Sequence, residues 1–323
     1  MTEREPARKQ LMDGFSASAA FFPKKLEFMT PFVYNETVSC DTMPPERNFP
    51  AMKFDHITLV SDMDGTLLTE EKNISPKNLE AIRYFCQNGG NFTVASGRVY
   101  QSIRCYFDLL NPRFPVISHN GGIICDPSTD EILYCKHLEG DYRRVANEIH
   151  EKYPFLGIEA FTPSEILFFV DNPYIRKHIS DEKLFPDNKI TWHDLNEETA
   201  PWCKILLAGE PEEADRLGEL LPAMYPAYNF VRSEAHYFEL LPPGVNKGSA
   251  LKQLISICGF HKDKCYAIGD NMNDAELLAE AGIGIAIKNA SEELKAVADA
   301  ILPVTNEEDA ICYLIEMIDK GTI

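Results

Sequence analysis

The strongest constraint on the fold is a series of short apolar runs that alternates with helical patterns from Met52 onward. The runs lack the polar alternation of a half-exposed strand, which is typical of strands in a parallel sheet covered on both faces. One helical segment begins with Ser75 and Pro76 as cap and first-turn residues and ends at Gly89. This alternation predicts a doubly wound α/β fold with a mostly parallel, Rossmann-like sheet, in which ligands bind at the carboxyl ends of the strands. The predicted strands are residues 56–60, 91–96, 114–119, 264–270, 282–287 and 298–303.

The net charge limits which kinds of molecule the protein can bind. The chain carries 31 Lys and Arg against 50 Asp and Glu, a net charge of −19 that repels nucleic acid and anionic membranes. No run of about 18 apolar residues predicts a membrane span. We therefore expect a soluble protein, a monomer or weak homodimer, whose 323 residues form two domains.

The cysteines and histidines suggest no metal site in the sequence. The nine cysteines are odd in number, dispersed and without a C-x-x-C pair, and the eight histidines show no ligand spacing. Such cysteines are typical of reduced thiols in a cytoplasmic protein rather than of a disulfide frame or a zinc site.

The first 51 residues lack sustained periodicity, so they are predicted to be a disordered or weakly ordered extension. The alternative is that translation starts at Met52. A secretory signal is not expected, because the apolar piece SASAAFF is short and follows both acidic and basic residues.

Four polar groups fall at strand ends or helix starts: DMDGT (62–66), SGR (96–98), NKG (246–248) and GDNMND (269–274). Each alone has an ordinary explanation as a solvated turn, a helix cap or a surface lysine. Their order and shared placement at one edge of the predicted sheet indicate an active site instead.

The four groups resemble the motifs of the haloacid dehalogenase superfamily, and specifically its Cof-like, type IIB phosphatase branch. In that superfamily DxDGT is the first motif, a strand-end Ser or Thr the second, a Lys the third and GDxxND the fourth. The resemblance covers about residues 53–310. It implies a hydrolase that acts on small phosphorylated metabolites.

The spacing of the motifs places a second domain after the second motif. Residues 63–95 are too few for a cap domain, whereas 97–246 far exceed the needs of one crossover. An inserted α+β cap of the C2 type is therefore expected at 123–238, and the core at 52–122 and 239–323. Cap strands are predicted at 165–171 and 203–209, with helices at 141–152 and 211–224.

The chemistry of phosphate monoester hydrolysis explains the first motif. Forming an aspartyl-phosphate divides a very slow reaction into two easier displacements, with Asp62 as the predicted nucleophile. Asp64 lies in the turn that Gly65 permits. It would protonate the leaving group and then deprotonate the attacking water.

A divalent cation is needed to bring a phosphate dianion to several carboxylates. Oxygen ligands without a nearby His or Cys favour Mg²⁺, with Asp62 and Asp270 as direct ligands. Asp274 is expected to act in the second coordination shell or through water. The resemblance assigns the backbone carbonyl of Asp64 to the metal as well.

The remaining motif residues are predicted to bind the phosphoryl group. Ser96 and the amide of Gly97 would hold its oxygens, Lys247 would neutralise their charge, and the resemblance suggests that Asn273 donates a hydrogen bond. Two further residues, Arg98 and Asn120, are less defined: Arg98 matches a frequent SGR, and Asn120 either contacts substrate or only forms a tight turn.

The cap would determine which leaving groups the site accepts. Sugar phosphates and nucleotide-derived monophosphates are the leading substrate classes that the resemblance implies. A phosphomutase or phosphotransferase of the same fold and a non-catalytic phosphometabolite sensor remain as alternatives. Six cap aromatics could line the lid or form the cap core: Phe161, Phe168, Phe169, Tyr174, Trp192 and Trp202.

Overall fold

A computed structural model describes residues 52–182, 190–197 and 199–323. The expected extension at 1–51 lies outside the described residues, so that expectation stays a prediction. No helix in these described ranges is long and apolar enough to cross a membrane.

A five-stranded sheet in the order β13-β12-β11-β1-β2 confirms the predicted α/β fold. Every neighbouring pair of its strands is parallel. Strand β1 pairs with the central strand β11 in a register that places Ser61 opposite Ile268, so the residues that follow the two strands emerge side by side. The strands are β1 (Thr58–Ser61), β2 (Asn91–Val94), β11 (Cys265–Gly269), β12 (Ile283–Ala286) and β13 (Ala300–Ile301).

Helices pack around this sheet, and the first begins at Ser75 and Pro76, as the sequence predicts. The side chain of Ser75 accepts a hydrogen bond from the amide of Asn78 and caps α1. Asn246 and Ser249 form a reciprocal capping box at the start of α7. These helices are α1 (Pro76–Gln87), α2 (Tyr100–Arg104), α3 (Phe107–Leu110), α7 (Lys247–Cys258), α8 (Ala275–Glu280), α9 (Glu292–Val297) and α10 (Ala310–Lys320).

A second, antiparallel sheet has the order β7-β6-β8-β10-β9 and corresponds to the expected α+β insertion. Its hydrophobic cluster is separate from that of the parallel sheet and includes the fully buried Trp202. The strands are β6 (Gly157–Phe161), β7 (Ile166–Val170), β8 (Lys204–Ala208), β9 (Asn229–Glu234) and β10 (Tyr237–Leu241). The helices are α4 (Tyr142–Lys152), α5 (Pro173–Glu182) and α6 (Pro211–Met224).

A third, three-stranded antiparallel sheet consists of β3 (Val116–Ser118), β4 (Ile123–Cys125) and β5 (Ile132–Cys135). A single parallel bridge between Ala95 and Ile117 joins it to the chain after β2. Its buried residues belong to the hydrophobic cluster of the parallel sheet, whereas β10 pairs within the second sheet. We therefore propose that the cap extends from about 136 to 241 rather than from 123 to 238.

The packing of α1 on the sheet gives a test of the core. Ile82 is 1% exposed and its neighbour Arg83 is exposed on the same helix. Ile82→Ala is expected to lower the free energy of unfolding by about 2–5 kcal/mol, because it leaves a cavity against the sheet. Urea unfolding curves would measure the change. Arg83→Ala is the matched control and is expected to stay within about 0.5 kcal/mol; equal effects of the two substitutions would contradict this packing.

Candidate active site

Three carboxylates meet at the carboxyl edge of the parallel sheet. Asp62 follows β1 directly, and its amide donates to the carbonyl of Ile268 over 2.9 Å, so the pairing with β11 continues one residue beyond the strand. Asp270 follows β11, and Asp274 ends the short turn after it. One oxygen from each of the three carboxylates lies within 4.8 Å of the others.

Lys247 is buried among these carboxylates at the start of α7. Its Nζ lies 2.6 Å from Oδ1 of Asp62 and 2.6 Å from Oδ1 of Asp274. Burial disfavours the charged ammonium, but the charges of Asp274 and Asp62 outweigh it and raise the pKa of Lys247. One cation therefore faces three carboxylates.

The excess of negative charge affects the pKa values of the acidic side chains. Burial, reinforced by the charge of Asp274, raises the pKa of Asp62 well above its usual range and raises the pKa of Asp270 to about 7. Lys247 opposes both shifts but does not cancel them. The negative charge of the three carboxylates exceeds the positive charge of Lys247, so the cluster favours binding of a further cation.

Hydrogen bonds and limited space explain which residue types surround the three carboxylates. Oδ2 of Asp274 accepts the backbone amides of Asp270 at 3.1 Å and Asn271 at 3.2 Å. The hydroxyl of Thr66 donates to Oδ1 of Asp270 over 2.9 Å. Gly65 has φ +77°, and a Cβ there would lie 2.5 Å from Oδ2 of Asp270. The turn after β1 therefore requires glycine for both its conformation and its space.

Asp64 turns away from the carboxylate cluster toward two cations. Arg98 donates from Nε over 2.6 Å and from Nη2 over 2.7 Å, and Nζ of Lys72 donates over 2.7 Å. Burial opposes ionisation of Asp64, but the hydrogen bonds and charge of Arg98, helped by Lys72, hold its pKa well below the usual range. Asp64 is thus an ionised carboxylate in this conformation.

The second motif connects the core to the cap. The hydroxyl of Ser96, 1% exposed, accepts the amide of Arg98 over 3.1 Å. The carbonyl of Gly97 accepts Nζ of Lys204, on β8 of the cap, over 2.9 Å. Nη1 of Arg98 also donates to the backbone carbonyl of Asp181 on α5 over 3.2 Å. The SGR segment therefore contacts two cap elements.

Asn120 takes part in a buried polar network. Its backbone is left-handed, with φ 51°, and its Nδ2 donates to Oε2 of Glu239 over 2.6 Å. Its Oδ1 accepts Nδ2 of Asn273 over 3.2 Å, and Glu239 in turn accepts Lys204 over 3.0 Å. Asn120 thus both forms the turn and orients side chains of core and cap.

A cavity of about 220 Å³ lies between the strand ends and the cap. Lys247, Asp274 and Asn120 are buried behind its surface. Seven of the predicted site residues line it: Asp62, Asp64, Ser96, Gly97, Arg98, Asp270 and Asn273.

Several residues of the cavity were not anticipated from the sequence. Lys72, Lys204 and Glu239 line it, and the signal for the last two was a charged residue inside an otherwise apolar strand, in CKILLAG and YFELL. Within the described part of the chain, the six cap aromatics that could have formed the lid do not line this cavity. Phe161, Phe168 and Trp202 are instead buried in the hydrophobic clusters of the cap.

The raised acid pKa values predict how stability depends on pH in metal-free buffer. A carboxyl whose pKa is higher in the folded than in the unfolded protein stabilises the fold below its ordinary pKa and loses that contribution as the pH rises. Between about pH 4 and pH 7 the unfolding free energy is therefore expected to fall, with Asp270 contributing about 2–4 kcal/mol. The lowered pKa of Asp64 acts only below this window.

Chemical unfolding at several pH values would measure this dependence. Asp270→Asn is expected to flatten it, and Asp55→Asn, an exposed position just before β1, is expected to leave it unchanged. A stability that rises from pH 4 to pH 7 in the unsubstituted protein would contradict the charge balance described above.

The chain resembles known proteins over most of its length. A family model for haloacid dehalogenase-like hydrolases matches residues 59–315. A candidate phosphatase of Haemophilus influenzae is 30% identical, with 79% of this chain and 95% of that protein covered. A 5-amino-6-(5-phospho-D-ribitylamino)uracil phosphatase of Bacillus subtilis is 26% identical over 79% of this chain and 94% of that protein.

A solved structure agrees with these relatives. A haloacid dehalogenase-like hydrolase from Bacteroides thetaiotaomicron superposes with a TM-score of 0.69 at 30% identity, with 81% of this chain and 99% of that chain covered. With the family model over residues 59–315 and a phosphatase relative at 30% identity, the chain belongs to the haloacid dehalogenase-like hydrolases and is a phosphatase.

Proposed function

We propose that this chain is a Mg²⁺-dependent phosphatase that hydrolyses small phosphorylated metabolites through an aspartyl-phosphate on Asp62. The observation that carries the proposal is the position of Asp62. Asp62 directly follows β1, lines the cavity, and is clustered with Asp270 and Asp274.

The donor set fits a hard divalent cation. The three clustered carboxylates offer only oxygen, which Mg²⁺ prefers. Burial and the charge of Asp274 raise the pKa values of Asp62 and Asp270, and a bound cation would favour their ionised forms. Asp62, Asp270 and the backbone carbonyl of Asp64 would hold the ion, and Asp274 would support it. When bound, Mg²⁺ would neutralise these acids and the phosphoryl oxygens.

Asp62 is the proposed nucleophile toward phosphorus. Lys247 fixes one of its oxygens over 2.6 Å, which leaves the other to attack. Ser96, Gly97 and Asn273 line the cavity. The hydroxyl of Ser96, the amide of Gly97 and the side chain of Asn273 are proposed to hold the transferred phosphoryl group. Lys247 would offset the charge of this group from behind Asp62.

Asp64 is the proposed acid and base. Held ionised by Arg98 and Lys72, it is ready to act as the base that deprotonates water. Its acid role needs a higher pKa, and a phosphate dianion entering the cavity would supply that by competing for the same two cations. Arg98 and Lys72 would then serve both the substrate and the carboxylate.

The cavity supports a small, polar substrate. Lys72, Arg98 and Lys204 provide local positive charge in a chain of net charge −19, and Glu239 offers an acceptor for hydroxyl groups. We propose sugar phosphates and nucleotide-derived monophosphates as the substrate classes.

We also propose a cytoplasmic location for the protein. The described cysteines are all free, which is typical of the reducing cytoplasm.

A panel of phosphorylated metabolites tests the function through release of inorganic phosphate with Mg²⁺ or with chelator. Asp62→Asn is expected to lower the rate by at least about 1,000-fold, because it removes the nucleophile. Asp55→Asn serves as the control and is expected to keep the full rate. Transfer of phosphate to an added sugar without release, or unchanged activity of Asp62→Asn, would contradict the proposal.

The role of Asp64 predicts a dependence on the leaving group. Asp64→Asn is expected to slow hydrolysis of an alkyl phosphate by about 100- to 10,000-fold, because the alkoxide then leaves unprotonated. With p-nitrophenyl phosphate, whose leaving group needs no proton, formation of the covalent intermediate is expected to slow much less. Rapid-quench measurement of the first turnover would separate the two steps; equal losses with both substrates would argue against acid catalysis by Asp64.

A further inference from the structure

A second cluster of ligand-type side chains lies outside the carboxylate site. It comprises Cys135 at the end of β5, His137 two residues later, and Cys203 just before β8. The two cysteines are 68 residues apart in sequence, so their spacing could not reveal the cluster. Both thiols are free; Cys203 is buried, and the other two residues are half-buried.

The distances match the edges of a tetrahedral zinc site. With Zn–S of about 2.3 Å and Zn–N of about 2.0–2.1 Å, two thiolate sulfurs lie about 3.8 Å apart and each lies about 3.6 Å from the nitrogen. Here the Sγ atoms of Cys135 and Cys203 are 3.7 Å apart. Nδ1 of His137 lies 3.6 Å from Sγ of Cys203 and 4.0 Å from Sγ of Cys135, and Nε2 of the same ring lies 3.6 Å from Sγ of Cys135.

We propose that Cys135, His137 and Cys203 bind a soft divalent transition metal, with Zn²⁺ as the best fit. Two sulfurs and one imidazole bind this class of ion in preference to Mg²⁺. Three protein ligands leave a fourth position for water. The oxygen-only cluster of Asp62, Asp270 and Asp274 would remain the separate site for the hard cation.

A metal ion would bind the two cysteines as thiolates and His137 as a neutral imidazole. Binding would therefore release the thiol protons of the cluster.

The position of the cluster gives the metal a structural consequence. Cys135 and His137 lie where the chain leaves the third sheet for the cap, and Cys203 immediately precedes Lys204 of the cavity. The bound ion would join this connection to strand β8. It would thereby restrain the strand that carries Lys204 against the carbonyl of Gly97.

Cobalt spectroscopy of the full chain tests the proposal. Protein stripped by chelator, kept reduced and held in excess Mg²⁺ would be titrated with Co²⁺. We expect one equivalent to give a thiolate-to-cobalt charge-transfer band and the visible bands of tetrahedral Co²⁺, both removed by Zn²⁺. The carboxylate cluster cannot produce the thiolate band because it contains no sulfur.

Single substitutions identify the ligands. Cys135→Ser and Cys203→Ser are each expected to weaken Co²⁺ binding at least about tenfold and to reduce the charge-transfer band, with circular dichroism to check folding. Cys258→Ser, at a half-buried cysteine in α7, is the matched control and is expected to bind as before. Absence of the band in the unsubstituted protein, or full-strength binding by Cys135→Ser, would overturn the proposal.

Discussion

The ion pairs of Lys247 hold the active site together. Its ammonium joins Asp62 after β1 to Asp274 after the neighbouring strand β11, so two strand ends and the start of α7 are fixed by one buried cation. Removing it would leave buried carboxylates without a counter-charge, which typically costs about 3–5 kcal/mol. The same group therefore stabilises the fold and keeps the carboxylate of Asp62, the proposed nucleophile, in a defined orientation.

A second polar network connects the cap to the SGR segment and to Asn120 of the core. Lys204 and Glu239, from two neighbouring cap strands, contact Gly97 and Asn120 of the core with fully buried side chains. Such groups are costly to bury unless every partner is in place. The cap position described here is thus stabilised by specific hydrogen bonds as well as by apolar contact.

Periodicity and motif order were enough to predict the parallel sheet, the cap insertion and the strand-end carboxylates. Sequence reasoning missed what depends on distant contacts. Lys204 and Glu239 sit inside apolar strands, and only the sheet pairing shows that they face the cavity. The ionised state of Asp64 depends on Arg98, 34 positions away. The sulfur pair of Cys135 and Cys203 likewise arises from tertiary packing, so the absence of a C-x-x-C pair said nothing about it.

The contacts of Arg98 link the position of α5 to the acidity of Asp64. One guanidinium binds both oxygens of Asp64 and, through Nη1, the last turn of α5 at Asp181. The same Nη1 also donates to the hydroxyl of Ser102 in the core over 3.0 Å, so the guanidinium bridges α2, α5 and the turn after β1. A single side chain therefore links the place where the cap meets the core to the carboxylate whose pKa it holds low.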